Sequence, residues 1–163
     1  MFAHHDITRD AFMLHGPLAS HGYDWWWHSF TAQDAETGED KPFFIEFFAC
    51  NPALGEDLPV LGQLPRNREA GKKPSYLMVK AGTWGQDACQ LHRFFGWKQV
   101  ELHGDAPYRI QAADCLAGET ELRGSWSLNG SLWSGSWSLC GLLRTCEERC
   151  GKEKGEDYVS FHK

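Results

Sequence analysis

Three consecutive tryptophans, Trp25, Trp26 and Trp27, open a strand-like run that ends at Thr31, and a second run from Phe43 to Cys50 reads FFIEFFAC. Nearly half of the chain's eight Trp and ten Phe fall within this pair of runs. Side chains alternate between the two faces of a strand, so Trp25 and Trp27 point opposite to Trp26. The segment between the runs, AQDAETGEDKP, reads as a polar turn, with Gly38 free to take a positive φ and Pro42 expected to stop pairing. The result is a hairpin that is aromatic on both faces. An ordinary surface sheet leaves one face polar. A doubly aromatic hairpin therefore has core on one side and, on the other, either more core or an apolar or ring-stacking ligand.

Composition narrows the classes of function. At 163 residues the chain fits one domain with a core of its own. A formal net charge of -6 argues against a nucleic-acid binder, which needs a basic face, and Arg66, Arg68, Lys72 and Lys73 form only a loop-like patch. No apolar run approaches the roughly 18 residues that span a bilayer as a helix. The first residues, MFAHHDITRDAFMLHG, lack the apolar stretch of a secretory leader, so a cytoplasmic location is expected. In that setting the six cysteines are expected as free thiols. Cys140, Cys146 and Cys150 with His162 lack zinc-finger spacing, and His4, His5, His15 and His21 are irregularly spaced, so neither a metal nor another cofactor is expected.

Along the chain, residues 1–20 read as an N-terminal arm with a short helix starting at Asp6 and broken at Gly16-Pro17. Residues 21–140 carry the punctuation of an antiparallel all-β domain. After the first hairpin comes a long excursion from Asn51 to Pro74, and such structureless stretches are uncommon in compact domains unless functional. Further strands are expected at Ser75 to Ala81, Gln90 to Phe95, Lys98 to His103, Tyr108 to Ala112 and Glu119 to Leu128. Asn129-Gly130 is a strong type I′ turn signal and would place Trp126 opposite Trp133. Residues 141–163 read as a charged, weakly ordered tail with one short helix ended by Gly151.

Trp25-Trp26-Trp27-His28, the turn, and the aromatic strand ending in Cys50-Asn51-Pro52 together resemble the entry of the tocopherol cyclase family. They are also similar to the related hydroxyneurosporene synthase and AttH-type proteins. The stretch YLMVKAGTWGQDACQLHRFFGW fits the same meandering order, and the resemblance runs from about Gly22 to Gly124. It implies a lipocalin-like (calycin-type) antiparallel barrel, closed or open, followed here by a short C-terminal helix. That family has two such barrels in a longer chain, so only the N-terminal one is expected here, and GSWSLNGSLWSGSWSL after Gly124 departs from the pattern. The implied function is binding of an apolar or prenylated small molecule. The implied chemistry is proton-initiated cyclisation or hydration of an isoprenoid chain.

Glu46 is the most informative polar residue, because it shares a strand face with Phe44 and Phe48. A carboxyl enclosed by aromatics is desolvated and its pKa rises, which makes it a candidate general acid near neutral pH. Asp24 is the second candidate for acid–base work, on one face with Trp26 and His28. Trp25, Trp26, Trp27, His28, Phe44 and Phe48 are the candidate ligand-binding residues. Against these stand the ordinary readings: Glu46 paired with a Lys or Arg, and Asp24 and His28 satisfying strand-end amides. A rival function is a carbohydrate-binding β-sandwich that stacks sugars on exposed Trp. A further alternative is an incomplete, non-catalytic fragment that self-associates through an uncovered barrel edge.

Overall fold

Alternation of apolar side chains sets the first sheet. In the computed structural model, which describes residues 12–33, 38–84, 88, 90–104, 108–118, 121–127, 134–140 and 158–162, the Trp run is β1 (Tyr23–Gln33) and the Phe run is β2 (Asp40–Cys50). They pair antiparallel over their whole length, from Tyr23 opposite Cys50 to Gln33 opposite Asp40. Both strands therefore run into the segment expected as turn, and Pro42 does not stop pairing but sits opposite Thr31. The carbonyl of Pro42 accepts from Trp84 N, on the side away from β1. A residue's N–H and C=O point to the same side of a strand, so the missing proline N–H takes nothing from the β1–β2 ladder.

β3 (Tyr76–Thr83) and β4 (Gln90–Phe95) complete a four-stranded sheet in the order β1-β2-β3-β4. A second sheet contains β5 (Val100–His103), β6 (Arg109–Ala112), β7 (Cys115–Gly118), β8 (Glu121–Ser127), β9 (Ser134–Cys140) and β10 (Tyr158–His162), again in sequence order. Every recorded strand pairing is antiparallel and between chain neighbours. The all-β antiparallel class is thus established. Among the described residues the pairings make two sheets, not one closed ring.

The inner faces of both sheets form one core. Phe43, Ile45, Phe47 and Leu77 from the first sheet and Ile110, Ala117 and Leu122 from the second belong to a single buried cluster. Phe12 and Leu14 are buried in the same cluster, so the end of the expected N-terminal arm is part of the domain. The expected helix from Asp6 falls mostly outside the described residues. Gly16–Ser20, expected only as a break, is a 3-10 helix with Pro17 in its first turn, where a missing N–H costs nothing.

The excursion between β2 and β3 holds a 3-10 turn (Pro52–Leu54), a short helix α1 (Pro65–Glu69) and a bridge between Val60 and Ser75. Asn51 organises its root. It adopts a left-handed φ of 47°, exchanges backbone and side-chain bonds with Gly22, and donates Nδ2 to Pro74 O at 2.7 Å. The excursion returns under Gly96, where a Cβ would lie 2.2 Å from Asp57 O, so only glycine fits.

Three further expectations differ from the structure. Trp97–Gln99 is a 3-10 turn instead of the start of a strand, closed by Gln99 N to Gly96 O and by Gln99 Oε1 accepting from Gly96 N. β7 was not legible because its turn, at Ala113-Asp114, uses Ala113 at φ 52° without a glycine or asparagine to announce it. In the β8–β9 ladder, Trp126 lies opposite Gly135 and Trp137 opposite Gly124, so each tryptophan position faces glycine instead of the expected Trp126–Trp133 pair. The Asn129-Gly130 turn itself lies outside the described residues, as does the expected helix ending at Gly151. Within the expected tail, Tyr158–His162 is strand β10, paired along β9 with Val159 opposite Trp137. No helix among the described residues is long and apolar enough to cross a membrane.

Candidate functional site

Strand parity divides the candidate residues between two environments. Asp24, Trp26 and His28 share the inner face of β1, and Trp25 and Trp27 share the outer face. Trp26 is 6% exposed, with Phe12 stacked on it at 5.8 Å and Tyr108 at 5.7 Å. Its indole is core. Asp24 accepts from Met13 N at 2.8 Å and from Trp25 N at 2.9 Å, which ties the N-terminal segment to the start of β1. The sheet therefore separates Asp24 from Glu46, and the two carboxylates do not meet in one site.

The outer face of the four-stranded sheet is a field of rings. Trp25 is 53% and Trp27 43% exposed. Tyr23 stacks on Trp25 and Phe48, Phe48 lies beside Tyr76, and Tyr76 meets Phe94 edge-on. Further along, Trp27 stacks on Phe44 at 4.5 Å, and Trp84 closes on both rings. Phe44 is wholly buried beneath this cover, although it lies outside the inter-sheet core. Near-parallel rings at these separations add attraction beyond area burial.

One polar row crosses this field. Successive pairings place Trp27 opposite Glu46, Glu46 opposite Lys80, and Lys80 opposite His92, one residue from each of β1 to β4. Lys80 Nζ lies 3.9 Å from Glu46 Oε2 and 5.0 Å from the centre of the Phe44 ring. The ion pair is thus longer than a hydrogen bond and doubles as a cation–π contact. Burial pushes the Glu46 carboxyl above its ordinary range, and the Lys80 charge opposes that rise. Burial, with help from Lys80, holds the His92 imidazole below its ordinary value.

Of the eight candidate residues, Glu46, Phe44, Phe48, Trp25 and Trp27 lie together on the outer face, whereas Asp24, Trp26 and His28 lie on the inner one. Sequence reading missed Tyr23, Tyr76, Lys80, His92 and Phe94, and offered Trp84 only for the rival sugar-stacking surface. The alternation of Tyr76, Met78 and Lys80 in β3 carried part of the signal; the register that sets Lys80 beside Glu46 is a long-range property. Cys50 and Cys115 are free thiols, as expected. No group of three or more His, Cys, Asp or Glu among the described residues is placed to hold a metal ion. Compared with known proteins, the chain matches no family model, no curated protein and no solved structure.

Proposed function

We propose that this chain is a binding module whose ligand lies on the outer aromatic face of β1–β4. The ligand is an apolar or prenylated small molecule with a flat ring. The observation that carries this reading is the contrast between the two faces. The inner face is filled by Phe43, Ile45 and Phe47, all fully buried, whereas the outer face presents Trp25 and Trp27 around the Glu46–Lys80 pair. Apolar rings with a few polar groups among them are the usual composition of a small-molecule site. The family resemblance and the sequential strand order support treating the two sheets as parts of one lipocalin-like meander. On that reading Glu46 is the proton donor for cyclisation or hydration of an isoprenoid chain, its carboxyl shifted by burial toward the protonated, donating form. Asp24 has no part in that step.

The exposure of Trp25, Trp27 and Trp84 also favours the second reading, a carbohydrate-binding surface. Titration of intrinsic Trp fluorescence separates the two. A prenylated quinone quenches it in the wild type and quenches less in Trp27→Ala, while a soluble glucan has no effect. Quenching by the glucan alone would replace the first reading with the second.

A further inference from the structure

The row that crosses the sheet is built from titratable groups on three adjacent strands, all facing the same ring field. We propose that Glu46, Lys80 and His92 form a proton-controlled anion seat, so that acidification strengthens binding of amphiphiles with an anionic head. This rests on the reading of the outer face as the ligand surface, and it adds the head-group chemistry and its control.

Geometry comes first. Lys80 and His92 are direct partners on β3 and β4, so their cationic forms stand side by side on one face. Glu46 flanks Lys80 on the other side, at 3.9 Å. Phe48, Tyr76 and Phe94 lie on one flank of the row and Phe44 and Trp84 on the other, which gives an apolar tail somewhere to lie. The remaining titratable groups facing this side are few. They are Tyr23 on β1, Asp40 and Cys50 at the two ends of β2, and Tyr76 on β3; β4 adds none beyond His92. Burial raises the Cys50 thiol and the Tyr76 phenol, so neither charges in the acid range.

The charge of the row then follows from its proton state. While Glu46 carries its negative charge and His92 is uncharged, the carboxylate beside Lys80 repels an incoming anion. Burial draws the Glu46 carboxyl up from 4.5 and the His92 imidazole down from 6.5. On acidification Glu46 loses its negative charge and His92 gains a positive one. Both changes favour an anion, and Lys80 is released from its only ion-pair partner among the described residues.

The test uses two fluorescent probes with the same apolar body. Anilinonaphthalene sulfonate stays anionic throughout the range, and N-phenylnaphthylamine serves as its uncharged counterpart. The affinity of the full chain for the sulfonate should rise about tenfold or more between about pH 7.5 and about pH 5, the scale of a charge-assisted contact, while the uncharged probe changes little. Glu46→Gln should bind the sulfonate more tightly than wild type at the higher pH. His92→Gln should flatten the rise. A sulfonate affinity independent of pH, with the uncharged probe still bound, would overturn the anion seat and leave the ligand surface standing. Failure of both probes at every pH would remove the ligand surface, and the seat with it. A parallel rise for both probes, with loss of near-ultraviolet dichroism, would mean acid loosening of the core and would also overturn the proposal.

Discussion

Trp27 and Glu46 stand directly opposite each other on β1 and β2, both on the face turned away from the core. A carboxylate in that position is partly desolvated by rings and only loosely balanced by Lys80. The pairing makes the outer face more than a hydrophobic patch, because it sets a charge that responds to its surroundings amid exposed indoles.

The neighbouring tryptophans should behave as members of different environments. Trp26→Ala removes an indole held between Phe12 and Tyr108 and should cost about 3–5 kcal/mol, as large-to-small core substitutions of aromatics do. Trp25→Ala, on the exposed face, should cost less than about 1 kcal/mol. Urea denaturation of the two variants gives the comparison. Equal losses would mean that the outer face is structural core.

Arg93 is the clasp between the sheets. From the inner side of β4 its guanidinium donates to Asp114 Oδ1 at 2.6 Å, Ser125 O at 2.7 Å and Cys115 Sγ at 3.3 Å, and it lies 5.1 Å from the centre of the Phe95 ring. All three contacts run from Nη1, so Arg93→Ala should destabilise the fold by roughly 1–3 kcal/mol, and Arg93→Lys, which keeps the charge on a differently placed nitrogen, by part of that. A lysine variant as stable as the wild type would reduce the clasp to a single ion pair.

The same clasp should appear in the acid limb of stability. Burial alone would raise the Asp114 carboxyl, but Ser125 and Arg93 together hold it below 3.8. A carboxyl depressed by folding stabilises above its unfolded value, and that contribution is lost as pH falls through the folded one. The stability of Asp114→Asn should therefore fall less steeply than that of the wild type below about pH 4. Partial exposure of the Asp114 side chain keeps the effect small. Parallel acid limbs in the two proteins would contradict this assignment.

Glu46 should act in the opposite direction. Its carboxyl is raised on folding, so its contribution is fully present below the unfolded value of 4.5 and is lost as pH rises through the folded value. Glu46→Gln should accordingly be as stable as wild type, or more so, at neutral pH, as thermal unfolding can measure. A clear loss would show that the 3.9 Å pair with Lys80 outweighs the desolvation of the carboxyl.

The face assignments were legible in the sequence because strand parity is local: Phe44, Glu46 and Phe48 had to share a side wherever the strand lay. Which side would be covered was not legible. The cover on Trp26 comes from Phe12 and from Tyr108, more than ten and eighty residues away, and nothing in the Trp run announces them. Register was the other gap. Lys80 and His92 become neighbours of Glu46 only through two successive ladders, and the β8–β9 ladder sets tryptophan opposite glycine where a two-residue turn would have paired two tryptophans. Turn chemistry misled in both directions, since Pro42 lies within a strand and Ala113 turns the chain with no glycine.

The most direct measurement is of the indole N–H resonances by NMR while a prenylated quinone is added. The account places the ligand on the outer face, so the Trp25, Trp27 and Trp84 signals should shift, while those of Trp26, packed in the core, and Trp97, whose Nε1 donates to Cys50 O at 2.9 Å, should stay in place. Shifts confined to Trp26 and Trp97 would put the ligand between the sheets and contradict the account.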